Sequence, residues 1–203
     1  VQVCPVEAIK LADLTDGFGV GAPYIESRAQ ACDFSCDGLQ CVLACPTGAL
    51  THDINYPHEA EMAVAKVVSP GTCLAAQGKG FQGLARGADF DGKLRFNEID
   101  RWNPIPLRDH PYDIENCDLC VTHCPIEIRY EMCEDGTPPS GEERQCPPDR
   151  AIQMIPLEGS SIANAMIPEI LDGWVGCGVC EMICPIDPPV IVMENYPESG
   201  RVF

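Results

Sequence analysis

The sequence predicts an α+β fold of short strands, brief helices and abundant loop, held together largely by its cysteine residues. Two observations lead to this prediction. Aromatic residues make up only 6% of the 203 residues, whereas 19 prolines and 18 glycines favour turns over long regular elements. The 14 cysteines are the side chains best able to supply the cohesion that a thin apolar core lacks.

The charge balance narrows the classes of partner that this chain is expected to bind. The 31 acidic residues exceed the 13 Lys and Arg, which gives a formal net charge of -18. Nucleic acids and anionic lipids select clustered Lys and Arg, so neither is expected as a partner. No stretch approaches the roughly 18 uncharged apolar residues of a membrane helix, so no direct membrane span is expected. Residues 1–11 do not resemble a signal peptide.

The cysteines recur in short units that end in a Cys-Pro pair. Residues 117–125 and 177–185 share the spacing C-x2-C-x3-C-P, and residues 41–46 repeat its final part. This spacing is the end of the bacterial ferredoxin run C-x2-C-x2-C-x3-C-P, in which the fourth cysteine binds the other of two clusters. Each iron of a [4Fe–4S] cube needs one thiolate, so closely spaced cysteines let one loop hold several corners. The proline fixes φ and lacks an N–H, which stops the loop from continuing around the same cluster.

Other uses of cysteine fit this spacing less well. Zinc sites pair two C-x2-C knuckles without the trailing x3-C-P, and disulfide scaffolds rarely repeat that unit. Covalent haem needs a histidine directly after C-x2-C, but Val121 and Glu181 stand there. The chain shows no paired carboxylates and no nucleotide-binding glycine motif, so no catalytic residue and no enzyme activity are predicted.

A repeated phrase after Cys-Pro predicts β-strands and the organisation of the chain. An apolar stretch follows the pair in four segments, each predicted to form a turn and then a strand: residues 4–11, 45–52, 146–155 and 184–193. Two such units make one module. The chain is therefore predicted to divide into a first module, residues 1–60, and a second module, residues 61–203.

The remaining segments are predicted from local composition. Residues 56–68 predict a helix, because an acidic first turn precedes apolar residues and Pro70-Gly71 follows. Residues 74–112 are rich in glycine and predict an insertion with a short strand near residues 93–99. Residues 125–150 are acidic and rich in Pro and Gly, and predict a second insertion that forms an exposed loop.

The motifs resemble those of the NapG/MauM family of ferredoxin-type proteins. The resemblance lies in CDFSCDGLQCVLACPTGAL (32–50), the isolated Cys73, CDLCVTHCP (117–125) and GCGVCEMICP (176–185). It implies tandem bacterial ferredoxin-like two-cluster modules with long loop insertions. It also implies a protein that relays single electrons through several [4Fe–4S] clusters in a respiratory or periplasmic redox chain, and therefore a periplasmic or otherwise exported location. The implied partners are redox proteins such as a multihaem cytochrome or a quinol-oxidising membrane subunit.

Pairing the motifs in the ferredoxin manner assigns three ligand sets. The first is Cys4, Cys32, Cys36 and Cys41; the second is Cys73, Cys117, Cys120 and Cys184; the third is Cys124, Cys146, Cys177 and Cys180. Cys45 is expected to complete a fourth cluster, whose remaining ligands would precede Val1. The C-x3-C spacing at residues 32–36, where the family usually has C-x2-C, loosens that loop without changing the number of ligands.

The third set leaves a choice open. The family pattern places a cysteine where this chain has Trp174. We favour Cys146 as the replacement, because residues 146–155 resemble the end of a cluster unit. The alternative is a disulfide between Cys133 and Cys146, which an oxidising compartment permits. In that case the third site is a [3Fe–4S] centre or has a ligand other than cysteine.

A second function is also compatible with the sequence. The two insertions offer docking surfaces, as expected for a structural or assembly subunit of a larger oxidoreductase or cytochrome complex. In such a subunit the clusters would act mainly as structural elements. A redox titration separates this alternative from an electron-transfer role, because structural clusters would keep one oxidation state across physiological potentials.

Overall fold

The computed structural model describes residues 2–16, 19–36, 39–46, 50, 52–95 and 104–194. Four short α-helices occur in these ranges: α1 (Gln40–Leu43), α2 (Leu119–Thr122), α3 (Pro125–Glu134) and α4 (Val179–Ile183). The strands are β1 (Ile9–Leu11), β2 (Pro23–Ile25), β3 (Val64–Val67), β4 (Phe81–Gly83), β5 (Lys93–Leu94), β6 (Ile105–Pro106), β7 (Tyr112–Ile114), β8 (Ile152–Pro156), β9 (Met166–Ile170) and β10 (Ile191–Glu194).

Within the described ranges these strands form five antiparallel sheets of two strands each. The pairs are β1 with β2, β3 with β10, β4 with β7, β5 with β6, and β8 with β9. In the β3–β10 sheet Val67 faces Ile191 and Val64 faces Glu194, so this sheet joins distant parts of residues 61–203. The grouping of these small sheets into ferredoxin-like modules stays a prediction.

The strands predicted after Cys-Pro are confirmed at three of the four segments. β1 follows Cys4, β8 follows Cys146 and β10 follows Cys184. The fourth segment falls largely on residues 47–49 and 51, which lie outside the described ranges. The strand expected near residues 93–99 is present as β5, and residues 96–99 lie outside the described ranges as well.

The helix predicted over residues 56–68 is wrong. This segment forms a single 3-10 turn at Pro57–Glu59 and then strand β3. β3 contains two valines, whose branched side chains favour extended backbone, and it pairs along its whole length with β10. A tertiary partner more than a hundred residues away therefore decided the conformation, against the local signals for a helix.

The predicted exposed loop over residues 125–150 is also wrong in its first half. Residues Pro125–Glu134 form α3, and the side chain of Ile126 is completely buried in the core. Pro125 stands at the first helical position, where a missing N–H costs nothing, so the proline starts a helix here. The insertion at residues 74–112 likewise places buried side chains in the core, among them Leu94 and Leu107.

The core consists of two clusters of buried side chains. The larger includes Phe34, Leu94, Leu107, Leu119, Ile126, Cys177, Val179, Met182 and Ile183. The smaller includes Cys73, Ala75, Ile152, Cys184, Val190 and Ile191. Cysteines belong to both clusters, and further cysteines pack against each of them.

The buried carboxylate of Glu127 fastens α3 to residues 150–151, which directly precede β8. The carboxylate of Glu127 is 1% exposed, and its two oxygens accept hydrogen bonds from Arg150 Nε at 2.6 Å and from the Ala151 backbone N–H at 3.1 Å. Arg150 also faces Glu131 at 3.5 Å, but Glu131 is 61% exposed. Because Glu127 is shielded from water and Glu131 is not, the first carboxylate is expected to contribute more to stability.

We expect Glu127→Gln to destabilise the fold by about 2–3 kcal/mol, because the amide replaces one acceptor with a donor beside two donors. Glu131→Gln, a matched change on the same helix and facing the same arginine, should cost no more than about 0.5 kcal/mol. Guanidinium unfolding of both variants measures the difference. Equal losses of unfolding free energy in the two variants would show that burial of the Glu127 carboxylate adds nothing to its contribution to stability.

Candidate iron–sulfur sites

All four cysteines of the second set line one small apolar cavity. They come from three separate segments: Cys73 follows the turn at residues 70–72, Cys117 and Cys120 lie at the start of α2, and Cys184 follows α4. Burial raises the pKa of the Cys117 thiol to about 11, and the nearby thiols of Cys73 and Cys184 add to this shift. The structure therefore brings together the four residues that were predicted to act as a set; we call this cavity the second site.

Three cysteines of the third set line a neighbouring small cavity, the third site. Burial raises the pKa of the Cys124 thiol to about 11. It also raises the pKa of Cys177 and Cys180, and the Cys124 thiol adds to both shifts. Trp174, which stands where the family pattern has a cysteine, lines the same cavity as an apolar wall.

The assignment of Cys146 to the third set requires a correction. Cys146 forms a disulfide with Cys133, and their Cα atoms are 5.9 Å apart. Both sulfurs are consumed by this bond, so Cys146 has no thiolate to offer iron. The bond links the C-terminal part of α3 to the residue after the 3-10 turn at residues 143–145. Of the two interpretations of the sequence, the structure shows the disulfide.

Three cysteines of the first set also lie near one another, and we call their surroundings the first site. Burial raises the pKa of the Cys36 thiol, and the thiols of Cys41 and Cys4 raise it further. Cys4 raises the pKa of Cys41 in the same way, and the Cys4 sulfur accepts the Ala8 N–H at 3.4 Å. Such N–H donors to ligand sulfur are one means by which proteins adjust cluster potentials.

Cys32 lies between the first and the third sites. Its backbone N–H donates to the carbonyl oxygen of Cys177 at 3.1 Å. Burial raises the pKa of the Cys32 thiol, and the charges of Cys177 and Cys36 both contribute. The assignments of Cys32 to the first set and of Cys45 to a fourth cluster stay predictions.

The chemistry of these sites fits iron–sulfur clusters. Soft thiolates are the ligands that such clusters select, and apolar walls keep water from the bound group. Because burial holds these thiols in the protonated form, iron must displace their protons when it binds. In the described ranges no three His, Cys, Asp or Glu side chains converge as they would around a single ion.

Two arginines that the sequence did not single out hold the cysteine-bearing loops. The guanidinium of Arg28 donates to the backbone oxygens of Glu181, Cys184 and Ile186 at 2.6, 2.8 and 2.7 Å. Arg86 donates to the oxygens of Arg28 and Met182, both at 3.0 Å. Side-chain bonds to backbone oxygens leave no spacing pattern, so no motif could have revealed these residues.

None of the helices in the described ranges combines the length and the apolar composition needed to cross a bilayer.

Cysteine sets buried between short elements are the arrangement expected of a ferredoxin-type protein, and comparisons support that class. The chain is 27% identical over 194 residues to the "Ferredoxin-type protein NapG" of Escherichia coli (strain K12), which covers 94% of the chain and 59% of the relative. It is 29% identical over 184 residues to the "Methylamine utilization ferredoxin-type protein MauM" of Paracoccus denitrificans (strain Pd 1222), covering 91% and 56%. The predicted resemblance to NapG and MauM proteins is confirmed.

A third relative matches a shorter stretch of the chain at a higher percentage identity. The MauM protein of Methylorubrum extorquens (strain ATCC 14718 / DSM 1338 / JCM 2805 / NCIMB 9133 / AM1) is 37% identical over 78 residues, which covers 38% of this chain and 35% of the relative. The chain spans only 59% and 56% of the lengths of the Escherichia and Paracoccus proteins. No family model matches the chain, and no solved structure matches it significantly.

Reduction of the disulfide should lower the free energy of unfolding by about 3 kcal/mol, because the bond closes a loop of about a dozen residues in the unfolded chain. Guanidinium unfolding with and without a phosphine reductant measures this change. In Cys133→Ala the reductant should have no effect. A reductant effect of equal size in that variant would place the sensitive bond elsewhere.

Proposed function

We propose that this chain is an iron–sulfur electron-transfer protein that holds several [4Fe–4S] clusters within a respiratory or periplasmic redox chain. The observation that carries the proposal is the second site, where four cysteines from three segments line one apolar cavity. A cluster bound by such thiolates takes up or releases a single electron. The names of the similar proteins support the same class of function.

The residues around the sites contribute by enclosing and positioning rather than by bond chemistry. Leu74, Val190 and Ile191 form apolar walls of the second site and limit the access of water. Arg28 holds the loop that carries Cys184 by binding its backbone oxygens. The proposal assigns no catalytic residue, in keeping with a carrier of electrons rather than an enzyme.

The charge of the chain suggests the kind of partner. A net charge of -18 would steer a basic redox protein towards this surface, and steering of this type weakens as salt rises. A multihaem cytochrome with a basic docking face fits this requirement, as does a quinol-oxidising membrane subunit. Each remains a proposal, since the chain spans little more than half of the relatives that it resembles.

The disulfide supports a location outside the cytosol. Disulfides persist in oxidising compartments such as the periplasm and are rare where thioredoxin and glutathione keep thiols reduced. The bond between Cys133 and Cys146 therefore favours a periplasmic or otherwise exported protein.

A structural role for the clusters has one observation in its favour. Cys73, Cys177 and Cys184 are core residues with 7%, 7% and 8% exposure, so whatever they bind also supports the fold. Electron transfer and structural support are compatible for the same site. A redox titration tells them apart, because clusters that only support the fold would not change oxidation state at physiological potentials.

Replacement of Cys120 by alanine should remove the cluster of the second site, because one corner of the cube loses its ligand. We expect the iron content of the anaerobically reconstituted chain to fall by about four atoms and sulfide to fall in proportion. Cys133→Ala is the matched control: it also deletes a cysteine, but one that lies in the disulfide, and its iron content should stay at the wild-type value.

Iron content, sulfide content and reduction by dithionite are the measurements that can contradict the proposed function. If wild-type chain reconstituted with iron and sulfide contains neither, or if its clusters cannot be reduced by dithionite, this chain is not an electron carrier. If Cys120→Ala and Cys133→Ala lose equal iron, the four cysteines of the second site do not form a ligand set.

A further inference from the structure

Residues 27–32, from the predicted first module, contact residues 177–186, from the predicted second module, along a short interface that we call the module junction. Arg28 crosses it with the three bonds to backbone oxygens described above. The Ala31 N–H points at the sulfur of Met182 at 3.2 Å, and the Cys32 N–H donates to the Cys177 oxygen at 3.1 Å. At least five polar contacts thus fix these segments against each other.

Gly178 shows how closely the two segments approach. It has a φ of +86°, and a Cβ atom at this position would lie 2.5 Å from Ser27 Cβ and 2.6 Å from Ser27 Oγ. No side chain larger than hydrogen fits between them. The junction is therefore tight at the very residue that follows Cys177.

The second and third sites adjoin each other on the other side. Cys180 lines both cavities, and Cys120 lines the cavity of the second site. The order of the sites in space is then first, third, second, with Cys32 and Cys177 on one side of the third site and Cys180 and Cys120 on the other. Along the chain the three sets begin at residues 4, 73 and 124, so chain order alone would have placed the second site in the middle.

We propose that the hydrogen bond from Cys32 to Cys177 couples the two modules, and that the third site is the middle of the row. This inference rests on the proposed function. The route from the Cys32 sulfur to the Cys177 sulfur follows the covalent bonds of each residue and crosses one N–H···O=C hydrogen bond between them. An electron that crosses the junction oxidises the site it leaves and reduces the site it enters, and one-electron redox proteins at either end supply and remove it.

Electron paramagnetic resonance of the whole chain, reconstituted with iron and sulfide and fully reduced by dithionite, tests this order. Neighbouring reduced sites split each other's signals. We expect Cys177→Ala to abolish the splitting of the first site, whereas Cys120→Ala should leave that splitting in place. If instead Cys120→Ala abolishes it and Cys177→Ala does not, the second site is the neighbour of the first, and the proposed order is overturned.

The contact itself is tested by two glycines with positive φ. Gly178→Ala should push against Ser27, widen the junction and weaken the splitting of the first site. Gly159→Ala is the matched control, since its φ is +76° and no atom lies within 4 Å of its added Cβ. The splitting should survive in that variant. Equal loss in both variants would mean that local strain, and not the junction, sets the coupling.

A double variant keeps the test valid if Gly178→Ala merely disturbs its own loop. Adding Ser27→Gly removes the two atoms that the new methyl group would meet and leaves only the backbone strain of alanine at φ +86°, so part of the splitting should return. If none of it returns, contact with Ser27 does not set the coupling. Failure of the proposed function looks different: the wild-type chain would then contain no iron or show no signal on reduction, whereas a wrong order leaves the clusters and their reduction intact.

Discussion

Cysteine side chains occupy positions in this core that large apolar side chains hold in most folded domains. Cys73, Cys177 and Cys184 are buried members of the same clusters as the valines and isoleucines around them. A two-stranded sheet is barely stable by itself, and the described ranges contain only sheets of that size. The small elements therefore depend on what draws the cysteines together, and binding energy at the sites would be folding energy.

Backbone oxygens create a second requirement, which the arginines meet. A chain with so much loop exposes many carbonyl groups that have no strand or helix partner, and buried carbonyls must find donors. Arg28 donates hydrogen bonds to three backbone oxygens, and Arg86 donates hydrogen bonds to two. Fixed guanidinium groups beside the loop of Cys184 also place positive charge near a site whose bound group would be anionic.

Sequence patterns predicted what depends on neighbours in the chain. Strands β1, β8 and β10 follow Cys-Pro as expected, because the turn and the strand that follows are set by a few adjacent residues. The pattern failed where distant contacts decide: Val64–Val67 became a strand because β10 pairs with it, and Ile126 became buried because α3 packs on the core. Local composition had predicted a helix for the first of these segments and an exposed loop for the second.

In the candidate sites, too, regular motifs were predictive and contacts between distant residues were not. The second set was assigned from motif pairing, and its four members line one cavity. Cys146 was misassigned because its Cys-Pro phrase is indistinguishable by sequence from those of the proposed ligands, while its partner Cys133 lies thirteen residues away near the C-terminal end of α3 and belongs to no cysteine motif. Arg28 carries no signature in the sequence at all, since its three partners are backbone oxygens.

The second cavity has a consequence for the order in which a ribosome could complete this protein. One wall holds Cys73 and another holds Cys184, and the third site likewise needs Cys177 and Cys180. The second and third sites cannot be completed until residues 177–184 have been made. During that interval Cys73, Cys117, Cys120 and Cys124 lack part of their predicted sets and β3 lacks its partner β10, which makes this part of the chain dependent on protection during synthesis.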